Sequence, residues 1–216
     1  MTSPEIPHAE IRPGWWLSAE RALFLEAERT LVVADIHWGY AHSHRRAGNL
    51  LPLWGNEEIA RRLGALLRRY DPTRMIWLGD SLHTSAAAVF AERFLAEWPD
   101  REIIVVQGNH DRAWPRADRA EFRLGPCVFH HGDRARAIAP EEIEIIGHIH
   151  PALSWHDGAG LRLKVPALVQ GPRRIILPSF SDWSSGAAWN DQLADDETLW
   201  LVSPKKVWAL PKRINN

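Results

Sequence analysis

Five short apolar runs in this chain each end in residues that can bind a metal ion, and in four of them a glycine lies directly beside such a residue. Leu31–Ala34 leads into Asp35 and His37, Met75–Gly79 into Asp80, and Ile103–Gly108 into Asn109 and His110. Cys127–Phe129 leads into His130 and His131, and Ile143–Gly147 into His148 and His150. A lone histidine beside a strand is usually structural, and a lone aspartate after one is usually a turn or a cap. Five successive runs with the same ending restrict the fold to one that brings several strand ends together. Asp35 and His37 flank a single residue, as do His148 and His150. On extended backbone both members of each pair would project to one side. The glycines at 39, 79, 108, 132 and 147 mark places where the backbone turns sharply or approaches a neighbour closely. The His130–His131 doublet stays open on this evidence, because a shift of one residue exchanges their faces.

The donor set is carboxylate, carboxamide and imidazole without thiolate. It suits manganese, iron or zinc in a hydrolytic site, and its size exceeds the four ligands of a structural zinc. Cys127 is the only cysteine, so no disulfide forms within the chain and a reducing compartment fits.

The runs alternate with amphipathic segments. Trp15–Ser18, Ala22–Leu25 and Thr30–Ala34 read as strands. From Asn56 to Tyr70, Ile59, Leu63, Leu66 and Leu67 recur at helical spacing, and Asp71 and Pro72 end the segment. Met75–Leu78 reads as a buried strand, Ala86–Trp98 as a second helix and Glu102–Gln107 as a third strand of this unit. The order β, α, β, α, β implies parallel strands joined by helical crossovers, with functional groups at the strands' carboxyl ends. Beyond Arg123 the pattern is strands with little helix: Cys127–His131, Glu144–Gly147, Leu161–Val169, Arg174–Leu177, Thr198–Val202 and Lys206–Leu210. Two packed mixed sheets follow, arranged as a four-layer α/β/β/α sandwich in one α/β domain spanning 1–216.

The start of the chain, MTSPEIPHAEIRPGWW, lacks the charged and apolar regions of a secretory signal, and no apolar run approaches a membrane span. The expectation is a cytoplasmic protein with no membrane association. A net charge of -1 gives no long-range attraction for polyanions, so nucleic-acid binding would rest on local patches. Arginine supplies such patches, since the only lysines are Lys164, Lys205, Lys206 and Lys212. Arg45 and Arg46 follow the first donor pair closely enough to clamp a substrate phosphate. Among the 12 tryptophans, Trp38, Trp114, Trp155 and Trp183 fall on or near loops where a ring could stack on a base. His42, His44 and His83 lie near the donor blocks without a role that their spacing assigns.

The blocks DIH, GD, GNHD, HG and GHIH, in that order over Leu31–Pro151, resemble the calcineurin-like metallophosphoesterase superfamily. DIHWGYAHSHRRAGNLLP, LGDSLH, GHIHP and LPSFSDWSSG extend the likeness to the ligase- or helicase-associated DNA phosphoesterases, the PdeM-like endonucleases. Tyr40 departs from those relatives, which commonly carry lysine there. The resemblance implies two divalent ions, manganese first and zinc or iron as alternatives. Asp35, His37 and His150 would hold one ion and Asn109, His131 and His148 the other, with Asp80 between them. It selects His131, the histidine before glycine, over His130. His110 would protonate the leaving group and Asp111 would orient His110. The reaction implied is hydrolysis of phosphodiester or phosphomonoester bonds by a bridging hydroxide, on DNA or RNA, in repair and with a helicase or ligase as partner. Small nucleotides such as cyclic nucleotides are the alternative substrate. A catalytically silent scaffold is the alternative of another class.

Overall fold

The computed structural model describes residues 6–184 and 186–210. Met1–Glu5, part of the segment read for a signal, and Ser185, within LPSFSDWSSG, lie outside the described residues.

The first sheet holds β1 (His8–Arg12), β2 (Trp15–Ser18), β3 (Leu23–Leu25), β4 (Thr30–Val33), β5 (Arg74–Leu78) and β6 (Glu102–Val106), in that spatial order. The first four pair antiparallel, whereas β4, β5 and β6 run parallel. Two helices make the crossovers that parallel strands require, α2 (Gly55–Tyr70) and α3 (Ala88–Ala96), the second entered through a 3-10 turn at Ser85–Ala87. A short helix that the sequence pattern did not announce, α1 (Tyr40–Arg46), precedes them.

The central strands are continuous apolar runs because both faces are covered. Leu31, Val33, Met75, Trp77 and Val105 pack against Ile59, Leu63, Leu66, Ala91 and Phe94 of the helices. The alternate residues Val32, Ile76, Leu78, Ile104 and Val106 face Phe129, Ile145, Leu168 and Ile175 of the second sheet. This sheet comprises β7 (Phe122–Leu124), β8 (Cys127–His130), β9 (Ile143–Ile146), β10 (Pro151–His156), β11 (Arg162–Gln170), β12 (Arg174–Ile176), β13 (Ala187–Ala188), β14 (Thr198–Ser203) and β15 (Lys206–Ala209). Its order is β13-β10-β11-β12-β9-β8-β7, with β14 pairing β11 and β15.

Two packed mixed sheets are therefore present, as the sequence pattern implies. The two longer helices, α2 and α3, pack on the first sheet. The outer face of the second sheet, with Ile146, Val169, Ile176, Leu199 and Leu201, is covered by Trp189, Leu193, Trp208 and Leu210. A loop carrying two large side chains can bury that narrow stripe without a helix. No helix among the described residues is long and apolar enough to cross a membrane.

β8, β9 and β12 are parallel to one another, so the carboxyl ends of β4, β5 and β6 in one sheet and of β8 and β9 in the other collect at one edge of the sandwich. Backbone bonds tie the sheets there: Phe180 N donates to Ala34 O at 2.8 Å and Ser181 N to Asp35 O at 3.1 Å. Arg62 of α2 holds the segment that makes these bonds. Its guanidinium donates to Phe180 O at 2.9 Å, lies over the Phe180 ring at 4.1 Å, and pairs with Glu20 and Asp182. Its side chain is only 6% exposed. Arg62→Ala is expected to lower stability by about 3 kcal/mol, measured by urea unfolding, because it strands Glu20 and a carbonyl beside a cavity. Wild-type stability would show that the network contributes nothing.

Candidate metal centre

Each donor is delivered by the end of a strand. Asp35 and His37 follow β4, Asp80 follows β5, Asn109 follows β6, His131 follows β8, and His148 and His150 follow β9. The pairs do not converge through an extended pleat. Asp35, His37, Asp80, His148 and His150 all have left-handed backbone, with φ of 55°, 52°, 45°, 64° and 50°. Only three other non-glycine residues among those described share that conformation. Left-handed backbone costs an L-residue about 1 kcal/mol or more. Five such residues at one edge are held there by bonds from neighbouring strands: Asp35 N to Gly79 O at 3.1 Å, His37 N to Asp80 O at 3.0 Å, and His148 N to Asp35 Oδ2 at 2.9 Å. The turns also split the second pair, so His148 and His150 serve different groups of donors.

One group is Asp35, His37 and His150; the other is Asp80, His131 and His148. Asn109 joins the second, its Oδ1 lying 3.2 Å from His131 Nε2. His148 Nδ1 is 3.0 Å from the same nitrogen and Asp80 Oδ1 is 3.3 Å from it. In the first group His150 Nε2 lies 3.1 Å from Asp35 Oδ1, yet neither atom completes a hydrogen bond, and His37 Nδ1 is also buried without a partner. Buried polar atoms left unpaired cost free energy, and here three of them converge from two chain segments. Donors of this type with unsatisfied lone pairs fit divalent cations.

Electrostatics agree. Burial pushes the His37 imidazole down to about 4 despite the pull of Asp35 and Asp80, so it is a neutral donor with a free lone pair. Burial also works against a charged His131, but its hydrogen bond to Asp80 and the charges of Asp35 and Asp80 outweigh that and raise it to about 9. Two buried carboxylates thus favour positive charge at this point.

The HH doublet is resolved by position. His130 turns away and bonds Glu144 at 2.9 Å, whereas His131 sits among the donors. The close-packed glycines explain themselves by contact: a Cβ on Gly108 would lie 2.1 Å from Asp80 N, and one on Gly79 would lie 2.3 Å from His131 Nδ1. Gly108→Ala is expected to displace the Asp80 turn, lowering stability by about 1–3 kcal/mol and reducing bound metal. Thermal melting and metal analysis of the purified protein check it, and unchanged values in both would contradict it.

His110 is partly exposed, with Nε2 3.9 Å from Asp80 Oδ2. Its Nδ1 donates to the His83 carbonyl at 2.9 Å, which places a proton on Nδ1 and points Nε2 toward the donors. Asp111 does not orient this ring. Its carboxylate accepts from Ser81 N at 3.1 Å, Leu82 N at 2.9 Å and Gly108 N at 3.0 Å, joining the Asp80 loop to the Asn109 loop. Burial raises its pKa, and those amide bonds oppose the rise. A buried carboxylate takes the nearest donors, and these are the amides.

His83, which the spacing did not assign, is therefore the partner of His110, and it forms a further histidine group with His37 and His110. Its only sequence signal was its place three residues after Asp80. Arg45 and Arg46 are exposed in the last turn of α1, outside both donor groups, and Arg45 donates to Leu51 O at 3.0 Å. Trp38 and Trp114 are core residues, packed around Trp77, while Trp155 is exposed on β10 and Trp183 half-buried. Within LPSFSDWSSG, Ser179 Oγ donates to Asp35 O at 3.0 Å, so this segment braces the Asp35 turn.

No curated protein matches the sequence. Among solved structures, the chain is similar to the Pseudomonas putida nuclease MPE, with a TM-score of 0.73 and 25% identity over 95% of this chain and 100% of that one. The model of the calcineurin-like phosphoesterases matches residues 28–139, which carry Asp35, His37, Asp80, Asn109, His110 and His131. With more than half its length matched to that model, the chain belongs to the calcineurin-like phosphoesterase family.

Proposed function

We propose that this protein is a nuclease that hydrolyses phosphodiester bonds of DNA or RNA at a centre of two divalent ions, manganese by preference. The observation that carries the reading is the pair of adjoining donor groups at one edge, with His110 Nε2 3.9 Å from the Asp80 carboxylate. Asp35, His37 and His150 would hold one ion, Asn109, His131 and His148 the other, and Asp80 would be shared. When bound, such ions supply positive charge to the phosphate oxygens and lower the pKa of water into the physiological range.

The protein's own groups do the rest. Asp35 and Asp80 supply the carboxylates that would draw cations in, and the left-handed turns at His37, His148 and His150 deliver their imidazoles to the two donor groups. His110, as the imidazolium, carries a proton on Nε2 that it can pass to a departing oxygen while Nδ1 stays bonded to the His83 carbonyl. Arg45 and Arg46, exposed beside the first donor turn, suit the contacts to flanking phosphates that position a strand. The similarity to a nuclease supports a polymeric substrate.

A panel with manganese tests the reading: nitrophenyl mono- and diesters, cyclic nucleotides, and single-stranded and duplex DNA and RNA. Cleavage of a polynucleotide is expected. Hydrolysis confined to cyclic nucleotides or monoesters would transfer the reading to small substrates, and a metal-loaded protein inert toward all of them would sink it.

A further inference from the structure

A row of aromatic and imidazole rings leads away from His110. His83 lies beside His110 with centroids 5.4 Å apart and planes 23° apart, and His44 and Tyr40 both pack on His83, at 5.6 Å and 4.7 Å, and on each other at 4.3 Å. Trp183 is nearly parallel to Tyr40, at 5.8 Å and 8°, and Trp54 flanks Trp183 at 6.3 Å with its plane tilted by 41°. We propose that Trp183 and Trp54, at the outer end of this row, form a shelf on which one unpaired nucleobase of a single-stranded substrate stacks. The proposal rests on the nuclease reading above and names the form of nucleic acid that the site takes.

The two tryptophans are unlike the rest of the aromatic core. Trp54 is 59% exposed, next to Leu53 at 43% and close to Leu50 at 90%, so this stretch of the chain presents apolar surface to solvent. It occupies the N-cap of α2 and makes no capping hydrogen bond there. Serine, threonine, aspartate or asparagine would stabilise that position better, so an indole at this point departs from local preference in the way functional residues do.

Gly55, the first residue of α2, leaves room for Trp183: a Cβ there would approach the indole Nε1 to 3.3 Å. The Trp183 ring packs on Tyr40, and its backbone is held before any ligand arrives. Its backbone N donates to Ser181 Oγ at 3.2 Å, and the preceding Asp182 pairs with Arg21 at 2.8 Å and Arg62 at 3.4 Å. A ring fixed in advance loses little freedom when a base stacks on it.

Charge selects the class of ligand. From Ile36 to Asn56 the sequence has no acidic residue, and the exposed Arg45 and Arg46 share α1 with Tyr40 and His44. Cations beside flat rings match a phosphate backbone with free bases. A base inside a duplex has both faces covered by its neighbours, whereas an unpaired base can offer one.

The test measures binding by fluorescence anisotropy with metal-free protein in chelator, using a labelled oligothymidine and an abasic backbone of equal length. Wild type is expected to bind the thymidine strand about 5- to 150-fold more tightly, the range of one base–ring stack. Trp183→Ala and Trp54→Ala should each cut that preference strongly, and Trp183→Phe should retain most of it. Wild type binding both strands alike, or alanine variants keeping the full preference, would overturn the shelf. Manganese-dependent hydrolysis of a nitrophenyl diester by wild type is followed in parallel. A protein that hydrolyses the diester but ignores bases loses the shelf and keeps the phosphoesterase reading. One that favours bases but hydrolyses no ester keeps the shelf and loses that reading.

Discussion

Asp80→Ala is expected to reduce kcat/KM for manganese-dependent diester hydrolysis on the order of 10³-fold or more, with the fold retained. Asp80 is the carboxylate on which the site's groups converge. Its Oδ1 lies 3.3 Å from His131 Nε2 and accepts the His110 amide at 3.0 Å, and its Oδ2 is the oxygen nearest His110 Nε2. Burial works against its ionisation, yet the hydrogen bond and charge of His131 outweigh that and hold its pKa well below the usual carboxylate range. Alanine removes this fixed negative charge and frees the His110 backbone. The side chain contributes little to the apolar core, so circular dichroism should show an intact fold while metal analysis shows reduced content. Asp80→Asn separates shape from charge: it keeps the volume and should lose nearly as much activity. Near-wild-type hydrolysis by both variants would contradict a shared carboxylate at this position.

His110→Gln should separate substrates by their leaving groups. General-acid assistance is worth about 10²- to 10⁴-fold when the departing oxygen is basic, and little when it is a nitrophenolate that leaves unaided. Cleavage of a dinucleotide or an alkyl ester is therefore expected to fall at least 10²-fold, with only a few-fold loss on the nitrophenyl diester. Equal losses on both would assign His110 to binding or to support of Asp80 instead. The His83 carbonyl makes the distinction sharp. Because it fixes the Nδ1 proton, Nε2 is the nitrogen left for exchange with substrate. Asp111 variants should behave differently. Loss of its three amide bonds would loosen the loops that carry Asp80 and Asn109 and depress all substrates together.

Much of the fold was legible because the signals are local. Strand segments buried on both faces must be mainly apolar, which marked β4, β5, β6, β8 and β9, and the helical period of Ile59, Leu63, Leu66 and Leu67 marked α2. β1, with only one residue of HAEIR fully buried, carries no such run, and α1, in which five of seven residues are tyrosine, histidine or arginine, has only Ala41 fully buried. Neither has a hydrophobic pattern to read. The cover on the outer face of the second sheet was hard to read for a related reason. Trp189 and Leu193 cover it from an irregular loop, which has no period.

The candidate donors could be named from sequence alone: residue type, strand-end position and, in four of the five runs, an adjacent glycine are written in the chain. Their allocation was decided by tertiary structure. Whether His130 or His131 faces the site depends on how β8 packs against β9. That His148 and His150 part company follows from left-handed turns held by bonds from other strands, since isolated backbone would not stay there. The partner of His110 depends on which groups lie nearest once the loops close, and amides claimed Asp111 first. Short-range chemistry is encoded residue by residue, whereas contacts between segments that are distant along the chain exist only after the sheets have packed.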